Sequence, residues 1–370
     1  MAHGPRRPRV LLCVDEFRSG GVTTVMIDFA RLLGDRFDIE FAAFRAGPWL
    51  DRVQETGLPV HIVPLRSMPF LMRRFDLVHS HYRGLGVLAF ATGLRRRSIE
   101  HVHNLYDDRP LLSFRGRTVV AVSNAVAESL RERYPRLASS ALVVVRNAAP
   151  PSLLERPHPR PRPTPLVAVA VGRLVEQKDP LTFLNLARAL RDADPDFTAV
   201  WVGEGPLSDE FTARLEQLGL QDVVSWEEMP ERARALELIA TAGVLVLTSR
   251  WEGFPMVTLE AAALGTPIAT TECGDITEDV DRIGMGVVLR GDRTDPQVIT
   301  QWATSVEGLW ADERTWLASS DRAKQAAATE FSMAHLKQQM TEVYRAALAD
   351  RRRRGRARAL PRGRAARGRD

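Results

Sequence analysis

The sequence predicts an α/β fold: two Rossmann-like domains facing a cleft, followed by C-terminal helices and a basic tail. Three observations carry that expectation. Short β-rich runs alternate with helix-period stretches through most of the 370 residues, the pattern of parallel sheets with crossover helices. Residues 150–165 hold seven Pro in sixteen positions and divide the alternation into near-equal halves. The length suits two domains of about 100–200 residues each. The expected boundaries are 1–150 for a first domain, 151–165 for a linker, 166–330 for a second domain, 331–348 for a helix packing back across the domains, and 349–370 for a disordered tail.

In chain order, the first half offers strands at 9–15, 37–44, 59–65, 76–81, 98–103, 118–123 and 142–146. Between the first two, Val22, Val25, Met26, Phe29, Leu32 and Leu33 fall on one helical face at i, i+3, i+4 spacing. Proline lacks a backbone donor and fixes φ, so 150–165 reads as a semi-rigid extended linker rather than helix or central strand. The second half offers strands at 165–172, 197–203, 222–226, 243–249 and 266–271, with a helix at 180–191 opened by Pro180. From about 295 the pattern is all helical, at 296–309, 312–328 and 333–348. In open parallel sheets ligands bind beyond the carboxyl ends of the strands, so the chemistry belongs in the loops that follow strands.

Composition narrows the function classes. Hydrophobic residues at 45% and charged residues at 26% exclude a wholly disordered chain, a collagen and a small disulfide scaffold. No run reaches the roughly 18–20 apolar residues of a spanning helix, and the run VLLCV near the start is too short for a secretory signal. A cytoplasmic protein is expected. The net charge of +5 hides an asymmetry: the last twenty residues hold ten Arg and one Asp, +9, which leaves −4 for residues 1–350. Such a tail reads as solvated, or as able to touch an anionic surface. No aromatic residue is interleaved in it for base stacking, so nucleic acid is not expected. Basic segments at Arg73–Arg74 and 95–97, near the apolar Phe70–Met72, suit peripheral contact with an anionic membrane face as well as they suit a solvated surface. Cys13 and Cys273 lie far apart and suggest neither disulfide nor zinc site.

The strongest chemical signal is RWEGFPMVTLEAAALGTP, 250–267, after the buried strand GVLVLTS. A helix should start near Pro255 or Met256 and end before Gly265. The amides of Gly253, Phe254, Pro255, Met256 and Val257 then form an open helix N-terminus, an anion site. Glu252 precedes that cluster and Glu260 follows it. Two carboxylates flanking it suit a sugar nucleotide, the acids gripping hydroxyls and the amides facing phosphate. The second signal is VGRLVEQKDP, 171–180, another post-strand loop, whose Arg173 and Lys178 can stabilise a departing diphosphate. Gly20–Gly21 and the loop VGEGP, with Gly203 and Gly205, offer close backbone approach to a ligand, or simply tight turns. His79 and His81 share one strand face, as do His101 and His103. They are able to ligate a metal, but no neighbouring Cys or carboxylate completes a set. His103 is preferred as a hydrogen-bond donor to a sugar, with His81 beside it and a satisfied core histidine as the plain alternative for each. Asp192-Ala193-Asp194 has the spacing of a divalent-metal motif but falls between a helix and a strand, at the wrong end of the sheet. No catalytic metal and no cofactor are expected.

RWEGFPMVTLEAAALGTP resembles the Glu-x7-Glu signature of the GT-B-fold retaining glycosyltransferases of family 4. VGRLVEQKDP is similar to that family's glycine-arginine-leucine motif with its following lysine, and RSGGVTTV, DLVHSH, AVSNAV and VGEGPL to its other recurring blocks. The resemblance spans about residues 9–290. It implies a nucleotide-diphospho-sugar donor held mainly by the C-terminal domain and an acceptor, a sugar or lipid-linked sugar, held mainly by the N-terminal one. It places Arg173 and Lys178 at the diphosphate, Glu252 at the donor sugar and Glu260 at the ribose. The amides of 253–257 would line sugar and phosphates, His103 would lie near the transferred sugar and Gly20–Gly21 near the phosphates. The implied reaction is retaining transfer in cell-envelope polysaccharide or glycolipid synthesis. A sugar-nucleotide epimerase of the same fold, and a non-enzymatic binder, are the alternatives. Asn147-Ala148 stands where the family has Asn-Gly, Ala242-Gly243 where it has Ala-Asp, and Glu227 where it has Gly.

Overall fold

The computed structural model describes residues 6–18, 20–105, 113–134, 137, 141–158, 160–228 and 231–359. They divide into two compact units. Residues up to 121, 127–145 and those from 337 onward form the first; 122–126 and 146–336 form the second.

The first unit is built on seven strands: β1 (Arg9–Glu16), β2 (Asp38–Arg45), β3 (Val60–Ile62), β4 (Leu77–Ser80), β5 (Ser98–Val102), β6 (Thr118–Ala121) and β7 (Ala141–Val144). They pair in parallel in the order β3-β2-β1-β4-β5-β6-β7. Val10 to Cys13 are fully buried, as a parallel strand covered on both faces requires. The helix Gly21–Leu33 turns Val25, Met26, Phe29 and Leu33 inward, matching its periodicity.

The second unit carries β8 (Val167–Val171), β9 (Thr198–Val202), β10 (Val224–Glu227), β11 (Val244–Leu247), β12 (Ile268–Thr271) and β13 (Gly286–Leu289). Their order is β10-β9-β8-β11-β12-β13, again all parallel. Its core centres on Phe183, Phe197, Trp201, Phe211 and Trp302. Each such side chain contributes about 1.5–3 kcal/mol of apolar transfer. Both sheets wind outward from their first strand and then switch to its other side, at β1/β4 and β8/β11.

Three sequence expectations need correction. β13 was not expected: GVVL is short and flanked by glycines. Gly286 is there because a Cβ would sit 1.8 Å from the Ile268 carbonyl oxygen. The Pro-rich segment is not extended throughout, because Pro151–Leu154 form a short helix. Proline is tolerated in a first helical turn, where the missing N–H has no partner to lose. Nor is that segment a free spacer. The Arg160 guanidinium stacks 4.8 Å from the Trp316 ring and Arg162 4.7 Å from Trp310, while Arg160 donates to the Ala242 carbonyl at 2.8 Å. Finally, the last helix runs Met333–Ala359, beyond the expected end at 348. Arg and Ala are strong helix formers, so low apolar content alone does not end a helix. Residues 360–370 of the expected tail lie outside the described residues. No described helix is long and apolar enough to cross a membrane.

Candidate functional site

In the second unit two loops meet beside the switch point between β8 and β11. The loop after β8 makes a single tight turn at Glu176–Lys178 and then passes through Asp179, which has left-handed backbone (φ 48°), into the helix Pro180–Ala193. Asp179 is buried and its carboxylate pairs with Arg293 at 2.9 Å and Arg250 at 3.3 Å. That pairing fixes where Lys178 leaves the turn. The loop after β11 delivers Ser249 and Glu252, both almost fully buried.

These loops bring Lys178 and Glu252 together. Lys178 Nζ donates to Glu252 Oε1 at 2.5 Å, and Ser249 Oγ donates to the same oxygen at 2.6 Å. Gln177 Nε2 donates to the Trp251 carbonyl at 3.0 Å, and the Arg250 amide to the Gln177 carbonyl at 2.8 Å. The Lys178 stem crosses Gly172, where a Cβ would lie 3.3 Å from its methylenes. The Glu252 amide donates to the Cys273 carbonyl at 2.6 Å. Burial pushes the Cys273 thiol up to about 11, so it stays protonated and inert.

The helix after Glu252 runs Met256–Leu264, with Gly265 left-handed (φ 71°) at its end and no side-chain cap at its start. Its first amides therefore stay open by helix geometry. Pro255 has no N–H, so the expected donor set contracts to Gly253, Phe254, Met256 and Val257. The Phe254 ring packs 5.8 Å from Phe331 and under Arg146, so only its backbone faces the loop. Glu260 lies on the same helix, buried, and pairs with Arg232. Arg173 leaves the same turn as Lys178 and is exposed. Gly203 and Gly205 do have a close backbone approach, but from the neighbouring loop. A Cβ at Gly203 would lie 2.4 Å from the Gly172 carbonyl oxygen, and one at Gly205 2.3 Å from that of Leu174.

In the first unit, Gly20 caps the helix Gly21–Leu33 with φ 132° and open space around its missing side chain. Only glycine takes that conformation without strain, and the bare backbone leaves room for a ligand. His103 follows β5 and its Nε2 lies 2.8 Å from His81 Nδ1, which leaves its Nδ1 outside that pair. Burial lowers the His103 pKa to about 4, so the ring is neutral near pH 7.

Asp192 pairs with Arg188 at 2.7 Å and Asp194 accepts the Asp196 amide at 3.0 Å, so both are occupied, one in the last turn of the helix Pro180–Ala193 and one just past its end. Sequence reasoning missed Arg232, Ser249 and Gln177. Gln177 sits within the motif at 171–180, and Ser249 directly precedes the one at 250–267. Arg232 had no local signal, being brought to Glu260 by packing of the helix Arg232–Thr241.

The family described as "Glycosyl transferases group 1" matches residues 154–324, and that described as "Glycosyltransferase Family 4" matches residues 19–153. The chain belongs to the GT-B glycosyltransferases of the family 4 type. Among curated relatives, the alpha-maltose-1-phosphate synthase of Mycolicibacterium smegmatis is 27% identical over 244 residues, 61% of this chain and 62% of that protein. The D-inositol 3-phosphate glycosyltransferase of Paenarthrobacter aurescens is 30% identical over 148 residues, 39% of this chain and 35% of that one. The chain thus spans between a third and two thirds of the length of these relatives. HepE of Anabaena, solved with UDP-glucose, superposes with a TM-score of 0.77 at 19% identity, covering 92% of this chain and all of that one. This likeness is one of fold. Two features fit the departures from the family pattern. Gly243 carries Trp310 where a Cβ would be, 2.4 Å from its Cζ3, and Glu227 pairs with Arg234 at 2.9 Å.

Proposed function

We propose that this glycosyltransferase moves a sugar from a nucleotide-diphospho-sugar to an acceptor hydroxyl with retention of configuration and without a catalytic metal. The observation that carries the reading is the Lys178–Glu252–Ser249 cluster beside the uncapped N-terminus of Met256–Leu264. A buried carboxylate held by a lysine accepts from sugar hydroxyls, while the lysine and the open amides stabilise negative charge on phosphate oxygens. In the proposed step the bond between the anomeric carbon and the diphosphate oxygen breaks, and its electron pair stays on the diphosphate. The acceptor oxygen bonds to the anomeric carbon from the same face and its proton passes to a phosphate oxygen. Arg173 and Lys178 stabilise the leaving group. Glu252 orients the donor sugar, Glu260 with Arg232 the ribose, and the backbone at Gly203 and Gly253–Val257 the phosphates and sugar. His103 serves the transferred sugar, and Gly20 and Gly21 the phosphates. That HepE is solved with UDP-glucose supports a donor of this class. Incubation with a panel of nucleotide sugars and lipid-linked acceptors, with product configuration read by NMR, tests the reading. Transfer that is undiminished in Glu252→Ala, or donor conversion without acceptor, refutes it.

We further propose an acceptor from the cell envelope, reached by peripheral contact with an anionic membrane. Residues 57–99 hold seven Arg against one acid, Asp76. Phe70 is 71% exposed and Phe90 47%. Arg73 lies 5.8 Å from the Phe70 ring and bonds the Thr92 carbonyl, and Arg115 lies 5.2 Å from Phe90. Aromatic rings among a surplus of arginines over acids suit a headgroup layer. Co-sedimentation with phosphatidylglycerol vesicles should weaken several-fold in Phe70→Ser. Equal binding to neutral vesicles would count against it.

A further inference from the structure

The first unit holds a histidine cluster of which the proposed transfer reaction uses only His103. β4 and β5 are neighbours in parallel register, with His79 opposite Ile99 and Ser80 opposite Glu100. Alternation therefore puts His79, His81, His101 and His103 on one face and Glu100 on the other. The rings stack: His79 on His101 at 5.3 Å, His81 on His101 at 5.2 Å and His101 on His103 at 4.5 Å between centroids. Phe29 covers them at 5.5–5.9 Å. His79 Nδ1 lies 2.8 Å from the Tyr344 hydroxyl, and His81 Nδ1 lies 2.8 Å from His103 Nε2. The Nδ1 atoms of both residues are thus occupied. His79 Nε2 is 3.2 Å from His101 Nδ1. The Nε2 atoms of His81 and His101 are buried without a partner among the described residues. Buried polar atoms are nearly always paired, so the orphaned Nε2 of His81 calls for a partner.

We infer that His79, His81 and His101 form a site for one divalent transition-metal ion of the zinc class, structural in role and separate from the sugar-transfer chemistry. One nitrogen from each of the three lies within 4.8 Å of the others. Zn–N bonds of about 2.0–2.1 Å in a tetrahedron set neighbouring nitrogens about 3.3 Å apart. His79 Nε2 and His101 Nδ1 already stand at that spacing, 3.2 Å, where a bound ion takes the place of their hydrogen bond, and the His81 nitrogen lies within 4.8 Å. The outer hydrogen bonds, His79 to Tyr344 and His81 to His103, are of the kind that fix the tautomer of metal-bound histidines. Imidazole suits zinc. No carboxylate joins the set among the described residues, so water or hydroxide takes the fourth position and offsets part of the charge. The single-sequence view saw two histidine pairs on separate strands. The strand pairing is what merges them into three ligands.

The test uses the whole protein, stripped with chelator and titrated with Co2+. The expected result is one Co2+ per chain with the intense visible absorption of a four- or five-coordinate ion, displaced by Zn2+, and a higher unfolding temperature. His81→Asn and His101→Asn should each weaken binding at least tenfold, while His61→Asn, at a half-exposed pair with Glu40, should not. A wild-type chain that binds no Co2+, or only with the weak spectrum of an octahedral surface ion, overturns the inference, and so does binding unchanged in His101→Asn. The wild-type titration needs no variant to fold and no glycosyl donor, so it fails or succeeds independently of the transfer reading.

Discussion

The two units share a winding scheme and differ in what they place at its turning point. Each sheet begins in its middle, adds two strands to one side and continues on the other, β1 to β7 in one and β8 to β13 in the other. At β8/β11 the flanking loops carry charge, and the charges are paired: Lys178 with Glu252, Asp179 with Arg293. At β1/β4 the equivalent positions carry a bare Gly20–Gly21 turn and a ladder of neutral imidazoles. The same backbone scaffold thus presents a paired ionic cluster in one unit and a buried imidazole cluster in the other. Fold sets where a ligand site lies, and loop residues decide which ligand it takes.

The largest effect should come from breaking the ionic side. Lys178→Ala and Glu252→Ala are each expected to lower kcat by about 10²–10³-fold, the usual cost of losing one charge-stabilising group. Because the two side chains share a bond, the double variant should lose less than the product of the single losses. Steady-state kinetics with a working donor measures all three. Strict additivity would mean that the pair does not act as a unit.

The neutral side can be probed through Glu100, which lies behind the ladder in the first unit. Its carboxylate accepts the Gly116 amide, while Oε2 is buried with no hydrogen-bond partner among the described residues. Burial raises its pKa to about 7. Below pH 4.5 the acid is protonated in both folded and unfolded chains. Between 4.5 and about 7 the unfolded chain releases its proton first, so the native state loses stability as pH rises. The full penalty is about 3 kcal/mol at most. Glu100→Gln keeps the acceptor for Gly116 and cannot ionise, so its stability relative to wild type should climb across that window. Urea unfolding at pH 5 and pH 8 checks it. A difference that does not change with pH would show that the carboxyl titrates normally.

How much of this was legible in the sequence depends on range. The helix Met256–Leu264 was readable to within a residue, because Pro255 and Gly265 punctuate it. Twelve of the thirteen strands were readable because buried parallel strands are continuous apolar runs. The thirteenth, β13, was hidden by its glycines, of which Gly286 packs against Ile268. The Lys178–Glu252 pair was legible as two motifs but not as a bond. The Arg232–Glu260 pair and the contact between His79 and Tyr344, 265 residues apart, left no trace in local spacing. Long-range partners are chosen by packing, and a single sequence carries no direct record of that.

A smaller effect should follow at Gly243, which departs from the family's usual Asp. The structure assigns the position to packing: the Trp310 ring occupies the space of a side chain, and Trp316 Nε1 donates to the Gly243 carbonyl at 2.7 Å. Gly243→Ala should therefore cost about 1–3 kcal/mol through overpacking, and Gly243→Asp more, since the carboxylate would enter an aromatic corner. If thermal unfolding finds either substitution neutral, the aromatic corner yields more easily than its close contacts imply.

The smallest effect is expected where the second unit has carboxylates that do no ionic work at the site. Asp192 and Asp194 have the spacing of a metal motif, yet they lie at the amino end of β9, opposite the loops that hold Lys178 and Glu252. Asp192 is 57% exposed and its partner Arg188 47%, so solvent screens the pair. Asp192→Asn should change stability by no more than about 0.5 kcal/mol and leave transfer rates and their response to EDTA unaltered. The contrast with Glu252 is then one of placement rather than charge: two carboxylates of one unit, one buried at the carboxyl end of the sheet and one solvated at the other. A marked loss of activity in Asp192→Asn would undo that contrast, because it would put a working carboxylate at the end of the sheet where this winding leaves no ligand crevice.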